Sequence, residues 1–179
     1  IESKILDLNF SETPVIVISG PTGIGKSKLA LSLAKKINGV IINADSMQIY
    51  KELKIISSQP SNRDKKLISH ELYGIRSIYQ KFSVMDWLKL VEEKLDIVFN
   101  KNKIPIIVGG TGMYIKSAIN GISKIPKVDK AIFEYCSKLF EKIGNLEFRK
   151  LVEEVDKDFT LKNIDKQRLI RAYSVYLQT

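Results

Sequence analysis

A P-loop motif constrains the fold of this chain more than any other feature of its sequence. Gly20, Gly25, Lys26 and Ser27 stand at the spacing G-x-x-x-x-G-K-S. The motif follows an apolar, β-branched run and precedes a pattern with helical spacing, which is the setting of strand–loop–helix phosphate sites. There the glycines let backbone N–H groups converge on phosphate oxygens, and the helix N-terminus adds partial positive charge. The motif therefore predicts a phosphate-binding turn between a parallel strand and a helix.

The polar residues of the motif have separate predicted roles. Lys26 brings a full positive charge to the outer phosphates, and Ser27 is the predicted Mg²⁺ ligand. Such a loop does not distinguish diphosphates from triphosphates, so the motif is equally typical of ATP-binding and other nucleotide-binding proteins. The predicted phosphate-binding residues are Gly20, Pro21, Thr22, Gly23, Ile24, Gly25, Lys26 and Ser27.

The order of predicted elements indicates an α/β fold. Short apolar runs predict buried strands at 14–19, 40–43 and 104–108. Helical spacing predicts one helix at 26–37 and another behind Ser83-x-x-Asp86, which resembles a capping box. Strands that alternate with helices form parallel sheets. We therefore predict a P-loop NTPase-like parallel sheet with flanking helices.

The strand signals stop at Pro126. Helical patterns follow at 128–143, 146–155 and 165–177. We therefore predict two parts, a P-loop α/β core at 1–125 and a helical appendage at 126–179.

Two further turns carry polar residues at the carboxyl ends of predicted strands. Asp45 follows the strand at 40–43, with Ser46 and Gln48 beside it, and Thr111 follows the strand at 104–108 in VGGTGMY. Ligands bind at this edge of open α/β sheets, so these residues are expected near the P-loop. Asp45 is a candidate Mg²⁺ ligand or general base, and a structural helix cap is the alternative.

The last helical pattern has a basic face. Gln167, Arg168 and Arg171 share one side of the predicted helix in DKQRLIRAY. Such side chains suit phosphate and base contacts, although a solvated basic face has the same pattern. The formal net charge of +9 fits a nucleic-acid partner, but the lysines are scattered through the whole chain.

Composition excludes several classes of protein. A single cysteine, Cys136, rules out an internal disulfide framework and a cysteine-based zinc site. His70 is the sole histidine, and we do not predict a metal site there. No apolar run approaches the ~20 residues of a membrane span. The N-terminal segment IESKILDLNF reads as neither a signal nor a transit peptide. We expect a cytoplasmic monomer without membrane contact.

Four segments occur in a distinctive order: GPTGIGKS, NADSMQIY with its Asp eighteen residues past the P-loop Ser, PIIVGGTGMY, and DKQRLIRAYSVY. Together they resemble the tRNA dimethylallyltransferase family, also called the tRNA isopentenyltransferases. The resemblance implies transfer of a dimethylallyl group from dimethylallyl diphosphate to N6 of the adenosine 3′ of the anticodon. It also implies that the P-loop holds the diphosphate leaving group, with Mg²⁺ and without ATP hydrolysis.

The resemblance also implies roles for individual residues. Asp45 is the expected general base for the adenine amine, and Lys26 and Thr111 join it as predicted catalytic residues. The predicted contacts to the tRNA anticodon stem-loop are Asp45, Ser46, Met47, Gln48, Thr111, Gln167, Arg168, Leu169, Ile170 and Arg171.

The chain departs from the family pattern at several points. The family motif DIGTAKP reads KIISSQP at 54–60, its paired histidines become His70-Glu71, and an expected arginine becomes Phe133. Family members continue beyond the equivalent of Thr179, so we expect a C-terminally truncated chain. The alternatives are a small P-loop kinase, in which Asp45 serves as base for an acceptor hydroxyl, and a non-catalytic tRNA- or nucleotide-binding remnant.

Overall fold

A computed structural model describes residues 14–122, 128–157, 159 and 165–179. The strands in these residues form one parallel sheet in the order β1–β4–β2–β3. They are β1 (Ile16–Ser19), β2 (Gly39–Asn43), β3 (His70–Glu71) and β4 (Ile104–Gly109). Ile106 of β4 lies opposite Ile16 on one side and Ile41 on the other. The prediction of an α/β fold with a parallel sheet is confirmed.

The helices of the sheet-containing part cover both faces of the sheet. They are α1 (Lys26–Lys36), α2 (Asn62–Leu67), α3 (Val84–Asn100) and α4 (Gly112–Asn120). Ser83 Oγ accepts a hydrogen bond from Asp86 N (3.3 Å), and Asp86 Oδ2 accepts one from Ser83 N (2.9 Å). The predicted capping box therefore begins α3, because it satisfies two N–H groups that have no partner within the helix.

Successive side chains of the central strands β2 and β4 point to opposite faces of the sheet, so a hydrophobic core lies on each side. Ile41 and Ile106 pack with Ala30 and Ala34 of α1, whereas Ile42 and Ile107 pack with Trp87 and Val91 of α3. β2 and β4 are therefore covered on both faces, as expected for parallel strands.

β1 differs from the central strands. In the described sheet it is an edge strand, and burial alternates along it. Val17 keeps 38% of its surface exposed. The prediction of a buried strand is wrong for this segment, because the described part of the chain covers the side chains on one of its faces only partly.

The chain divides into two compact units, Ile1–Ile122 and Ser123–Thr179. The predicted boundary at 125/126 falls in 123–127, outside the described residues. The second unit contains α5 (Lys130–Val155) and α6 (Lys166–Gln178), which enclose a core of Cys136, Phe140, Phe148, Val152, Leu169 and Ile170.

The long helix α5 is interrupted at a glycine. Gly144 has φ 78° and ψ 175°, which a residue with a Cβ rarely adopts. This break explains why sequence periodicity predicts separate helices at 128–143 and 146–155. Within the described ranges, no helix combines the length and the apolar character that crossing a bilayer requires.

Candidate functional site

The P-loop forms the turn between β1 and α1. Gly25 precedes α1 with φ 92°, a conformation that favours glycine, and no side chain caps the first turn. The N–H groups of this turn are therefore available to an anion, which the helix dipole also favours. Lys26 Nζ donates a hydrogen bond to Pro21 O (2.7 Å), so the ammonium group lies over its own loop. The turn has the geometry of a phosphate site.

A cavity of about 510 Å³ joins the P-loop to the turn that follows β2. The predicted site residues that line it are Thr22, Gly23, Gly25, Lys26, Ser27, Asp45, Met47 and Gln48. The predicted residues Gly20, Pro21, Ile24, Ser46 and Thr111 are not among its lining residues. The cavity therefore has the cationic Lys26 and the Asp45 carboxylate in its lining.

The rest of the cavity wall is largely apolar. It includes Leu53, Ile56, Tyr73 and Val108. Ile56 occupies the glycine position of the family motif that reads KIISSQP here, and 85% of its surface is exposed. An adjoining cavity of about 270 Å³ shares Ser27, Lys28, Ser58, Tyr73 and Val108 with the first. The wall suits a ligand that carries a hydrocarbon group next to its phosphates.

Tyr73 contributes a neutral hydroxyl to this wall. Burial raises the pKa of the Tyr73 hydroxyl, and the nearby negative charge of Asp45 raises that pKa further. Tyr73 therefore stays protonated at neutral pH. The sequence analysis did not single out Tyr73 or Leu53, because no motif or periodicity marks them, and it named Ile56 only as part of the altered family motif at 54–60.

The turn that carries Asp45 is held in place by β4 and the residues after it. Met47 N donates to Asp45 Oδ1 (2.9 Å), and Ser46 N donates to Thr111 Oγ1 (2.9 Å). A Cβ atom at Gly109 would lie only 2.1 Å from the carbonyl carbon and oxygen of Ala44, so glycine is required for this close approach. Thr111 thus supports the Asp45 turn through its hydroxyl group.

The donor set of the cavity fits a cation that binds together with phosphates. Within the described ranges, no group of three or more His, Cys, Asp or Glu side chains could hold a metal ion. Ser27 and Asp45 nevertheless line the same cavity. A hard cation such as Mg²⁺ commonly takes one or two protein ligands and completes its coordination with substrate phosphates and water.

His70 is engaged in a local contact. Its Nδ1 lies 2.8 Å from Ile68 O, which can only accept, so Nδ1 carries the proton of this hydrogen bond. Burial lowers the pKa of His70 and favours the neutral ring. His70 therefore makes a local hydrogen bond to the backbone two residues before it.

The basic face predicted on the last helix lies on α6. Gln167, Arg168 and Arg171 are exposed and line an open groove of about 780 Å³ within the second unit. Leu169 and Ile170 are only 1% and 3% exposed, because they form part of the core between α5 and α6. Their side chains are therefore not available to a ligand, unlike those of the three polar residues.

Comparison with known proteins identifies similar sequences over most of the chain. The family model described as IPP transferase matches residues 48–179. The chain is 45% identical to a tRNA dimethylallyltransferase of Pelagibacter ubique, over 92% of this chain and 53% of that protein. It is 44% identical to the Rickettsia conorii protein of the same name, over 92% of this chain and 46% of that protein. The chain thus spans about half the length of the curated relatives it matches.

Solved structures of transferases that act on tRNA also align with most of this chain. A full-length tRNA isopentenylpyrophosphate transferase from Bacillus halodurans aligns with a TM-score of 0.62 and 26% identity, over 94% of this chain and 56% of that chain. A eukaryotic dimethylallyltransferase acting on tRNA aligns with a TM-score of 0.75 and 28% identity, over 90% of this chain and 41% of that one. These neighbours have the P-loop NTPase-like fold that the sequence predicts.

Proposed function

This chain belongs to the IPP transferase family, and we propose that it transfers a dimethylallyl group from dimethylallyl diphosphate to N6 of the adenosine 3′ of the anticodon in tRNA. One observation carries the proposal: Lys26 and Ser27, which suit a diphosphate, line the same cavity as the Asp45 carboxylate. The apolar wall beside them suits a short hydrocarbon group.

In the proposed reaction, the diphosphate leaves from the allylic carbon. The bond between that carbon and the diphosphate oxygen breaks as the bond from adenine N6 to the carbon forms. Negative charge then grows on the diphosphate, where Lys26 and the N–H groups of the P-loop would stabilise it. Mg²⁺, held by Ser27 together with diphosphate oxygens, would supply further charge neutralisation. The same residues that bind the diphosphate thus promote its departure.

Asp45 is the proposed base. The exocyclic amine of adenine is a poor nucleophile, and it becomes positively charged as it attacks the carbon unless a proton is removed. Met47 N binds Asp45 Oδ1, and among the described residues no hydrogen bond to the other carboxylate oxygen was found. We propose that this second oxygen accepts the proton of N6. The adenosine must leave its stacked position to reach the cavity, as in other enzymes that act on bases.

The proposed contacts to tRNA are limited to side chains that are accessible. On α6 these are Gln167, Arg168 and Arg171, whereas Leu169 and Ile170 act only as the core that orients the helix. In the first unit, 52% of the Met47 surface is exposed. The Thr111 hydroxyl is bound to Ser46 N, so we propose that Thr111 acts by supporting the Asp45 turn.

A product assay tests the proposed function directly. We expect that incubation with dimethylallyl diphosphate, Mg²⁺ and an anticodon stem-loop adds one C₅H₈ unit to the adenosine, as measured by mass spectrometry of the digested RNA. A stem-loop with guanosine at that position is the control and should gain no mass. RNA binding without any mass gain would favour the non-catalytic remnant over the enzyme.

The P-loop is expected to prefer a diphosphate to ATP as its productive ligand. β4 ends at Gly109 and Gly110 follows it, so this strand end lacks the aspartate that holds Mg²⁺ in P-loop NTPases. Dimethylallyl diphosphate should therefore bind without any steady release of phosphate from added ATP. Calorimetric titration and a phosphate-release assay measure the two properties. Steady ATP hydrolysis that dimethylallyl diphosphate fails to inhibit would instead indicate a kinase-like protein.

Removal of Arg168 or Arg171 is expected to weaken RNA binding about fivefold near 0.15 M salt, because one phosphate contact and its released counterions are lost. The plot of log affinity against log salt should become shallower by about 0.7–0.9 for Arg168→Ala and for Arg171→Ala. Filter binding at several salt concentrations measures both effects. The matched control is Lys150→Ala, an exposed charge on α5 that pairs with Glu147. Equal behaviour of all three variants would mean that this face of α6 is only solvated.

We also propose that the protein is cytoplasmic, since its proposed RNA substrate is found in that compartment. We propose further that it is a monomer. Sedimentation velocity should give a single species at the chain mass of 20.3 kDa. A concentration-dependent dimer would contradict the monomer.

A further inference from the structure

We propose that Asn43 is a positioning residue that fixes the Asp45 carboxylate at the cavity, an inference that rests on the proposed role of Asp45 as base. Asn43 is the last residue of β2 and is fully buried. Its side-chain amide binds both backbone polar groups of Asp45. Asn43 Oδ1 accepts from Asp45 N (2.9 Å), and Asn43 Nδ2 donates to Asp45 O (2.9 Å).

The same amide ties the Asp45 turn to a second segment. Asn43 Nδ2 also donates to Leu72 O (3.1 Å), beside Tyr73 in the cavity wall. Leu72 is 3% exposed, and so this contact lies in the core. One planar group therefore links the carboxylate-bearing turn to the segment that carries Tyr73. Only an amide supplies an acceptor and two donor hydrogens in this arrangement.

Asn43 is itself held from the other side. Trp87 Nε1 donates to Asn43 O (2.7 Å), and Trp87 is fully buried at the start of α3 with its ring stacked on Tyr114. The backbone and the side chain of Asn43 are thus both fixed. A rigid support of this kind is what a base requires, since an error of about 1 Å in its position can lower a rate about a hundredfold.

The contacts separate this role from phosphate binding. No hydrogen bond was found between Asn43 and the described P-loop residues, and Asn43 does not line the cavity. Loss of the amide should therefore disturb the position of Asp45 while the P-loop remains intact. If Asn43 contributed only to stability, its replacement would disturb the Asp45 turn and the P-loop to the same extent.

The test compares Asn43→Ala with two other variants. Asn43→Ser keeps an oxygen that can accept from Asp45 N but lacks the NH₂ group that donates to both Asp45 O and Leu72 O. Val98→Ala removes buried volume from the far end of α3, about three turns from Trp87, without touching these hydrogen bonds. We expect Asn43→Ala to lower kcat about 10–100-fold with less than about a twofold change in the affinity for dimethylallyl diphosphate. The kcat of Asn43→Ser should lie between those of Asn43→Ala and the wild type. Val98→Ala should keep the wild-type kcat.

Amide hydrogen exchange by NMR gives a second readout that does not need turnover. In Asn43→Ala the N–H groups of Asp45 and Met47 should exchange faster than the other N–H groups of the first unit. Asp45 N loses its acceptor, Asn43 Oδ1, and Met47 N loses a carboxylate acceptor that is held in a fixed position. If Asn43→Ala does not fold, Asn43→Ser is measured instead. Acceleration spread evenly over the first unit, as in Val98→Ala, would overturn the positioning role. If the wild type transfers no dimethylallyl group, the proposed function fails, and the exchange data still decide whether Asn43 fixes Asp45.

Discussion

Replacement of Asp45 by asparagine is expected to lower the rate of dimethylallyl transfer about 10²–10⁴-fold, the range for loss of a general base. Asparagine has nearly the same shape, and its side-chain oxygen can still accept the hydrogen bond from Met47 N that Asp45 Oδ1 accepts at 2.9 Å. An amide cannot take the proton from the adenine amine. The loss should therefore appear in kcat, while the affinity for dimethylallyl diphosphate stays nearly unchanged.

Single-turnover assays and calorimetric titration measure these two quantities for Asp45→Asn. Asp96→Asn is the matched control, because it makes the same chemical change at an exposed position on α3. The control should retain wild-type turnover. If Asp45→Asn instead abolishes Mg²⁺-dependent binding of the diphosphate, Asp45 is a metal ligand and another group must be the base.

Replacement of Lys26 by alanine is expected to impair both binding and chemistry. The Lys26 ammonium lines the cavity at the P-loop and lies over its own loop through Pro21 O. Loss of a charged hydrogen bond should weaken dimethylallyl diphosphate binding about 10–100-fold. Charge on the diphosphate increases as the carbon–oxygen bond breaks, so kcat should also fall, by about 10²–10³-fold. This pattern differs from that of Asp45→Asn, which should spare binding.

The control for Lys26→Ala is Lys35→Ala, which removes an exposed charge from the last turn of the same helix. Titration with inorganic diphosphate separates the phosphate contribution from that of the hydrocarbon group. Wild-type affinity of Lys26→Ala for inorganic diphosphate would mean that the P-loop is not the diphosphate site.

Local sequence signals were sufficient for most of the fold. The P-loop spacing from Gly20 to Ser27 predicted the turn between β1 and α1, and the pair Ser83 and Asp86 predicted the start of α3. Such features depend on residues a few positions apart, so they can be identified without knowledge of the rest of the chain. The exposed face of β1 could not be predicted, because strand order decides which strand lies at an edge.

The approach of Asp45 to the P-loop followed from a general rule, since the carboxyl ends of parallel strands meet at one edge of the sheet. No such rule predicted which residues form the rest of the cavity wall. Leu53, Ile56 and Tyr73 lie between β2 and α3, and no periodicity marks their side chains as neighbours of the P-loop.

By itself, the sequence predicted the parallel sheet, the glycine-rich turn between β1 and α1 and the place of Asp45 at the same edge of the sheet, because each depends on local spacing or on the order of elements. The role of Asp45 as base came from the family resemblance. Only the tertiary structure assigned the supporting contacts. Thr111 binds Ser46 across 65 residues of sequence, and Trp87 binds Asn43 across 44. It also separated the exposed residues of α6 from Leu169 and Ile170. Hydrogen bonds between distant segments and the burial of one helix face depend on how the elements pack, which no local pattern encodes.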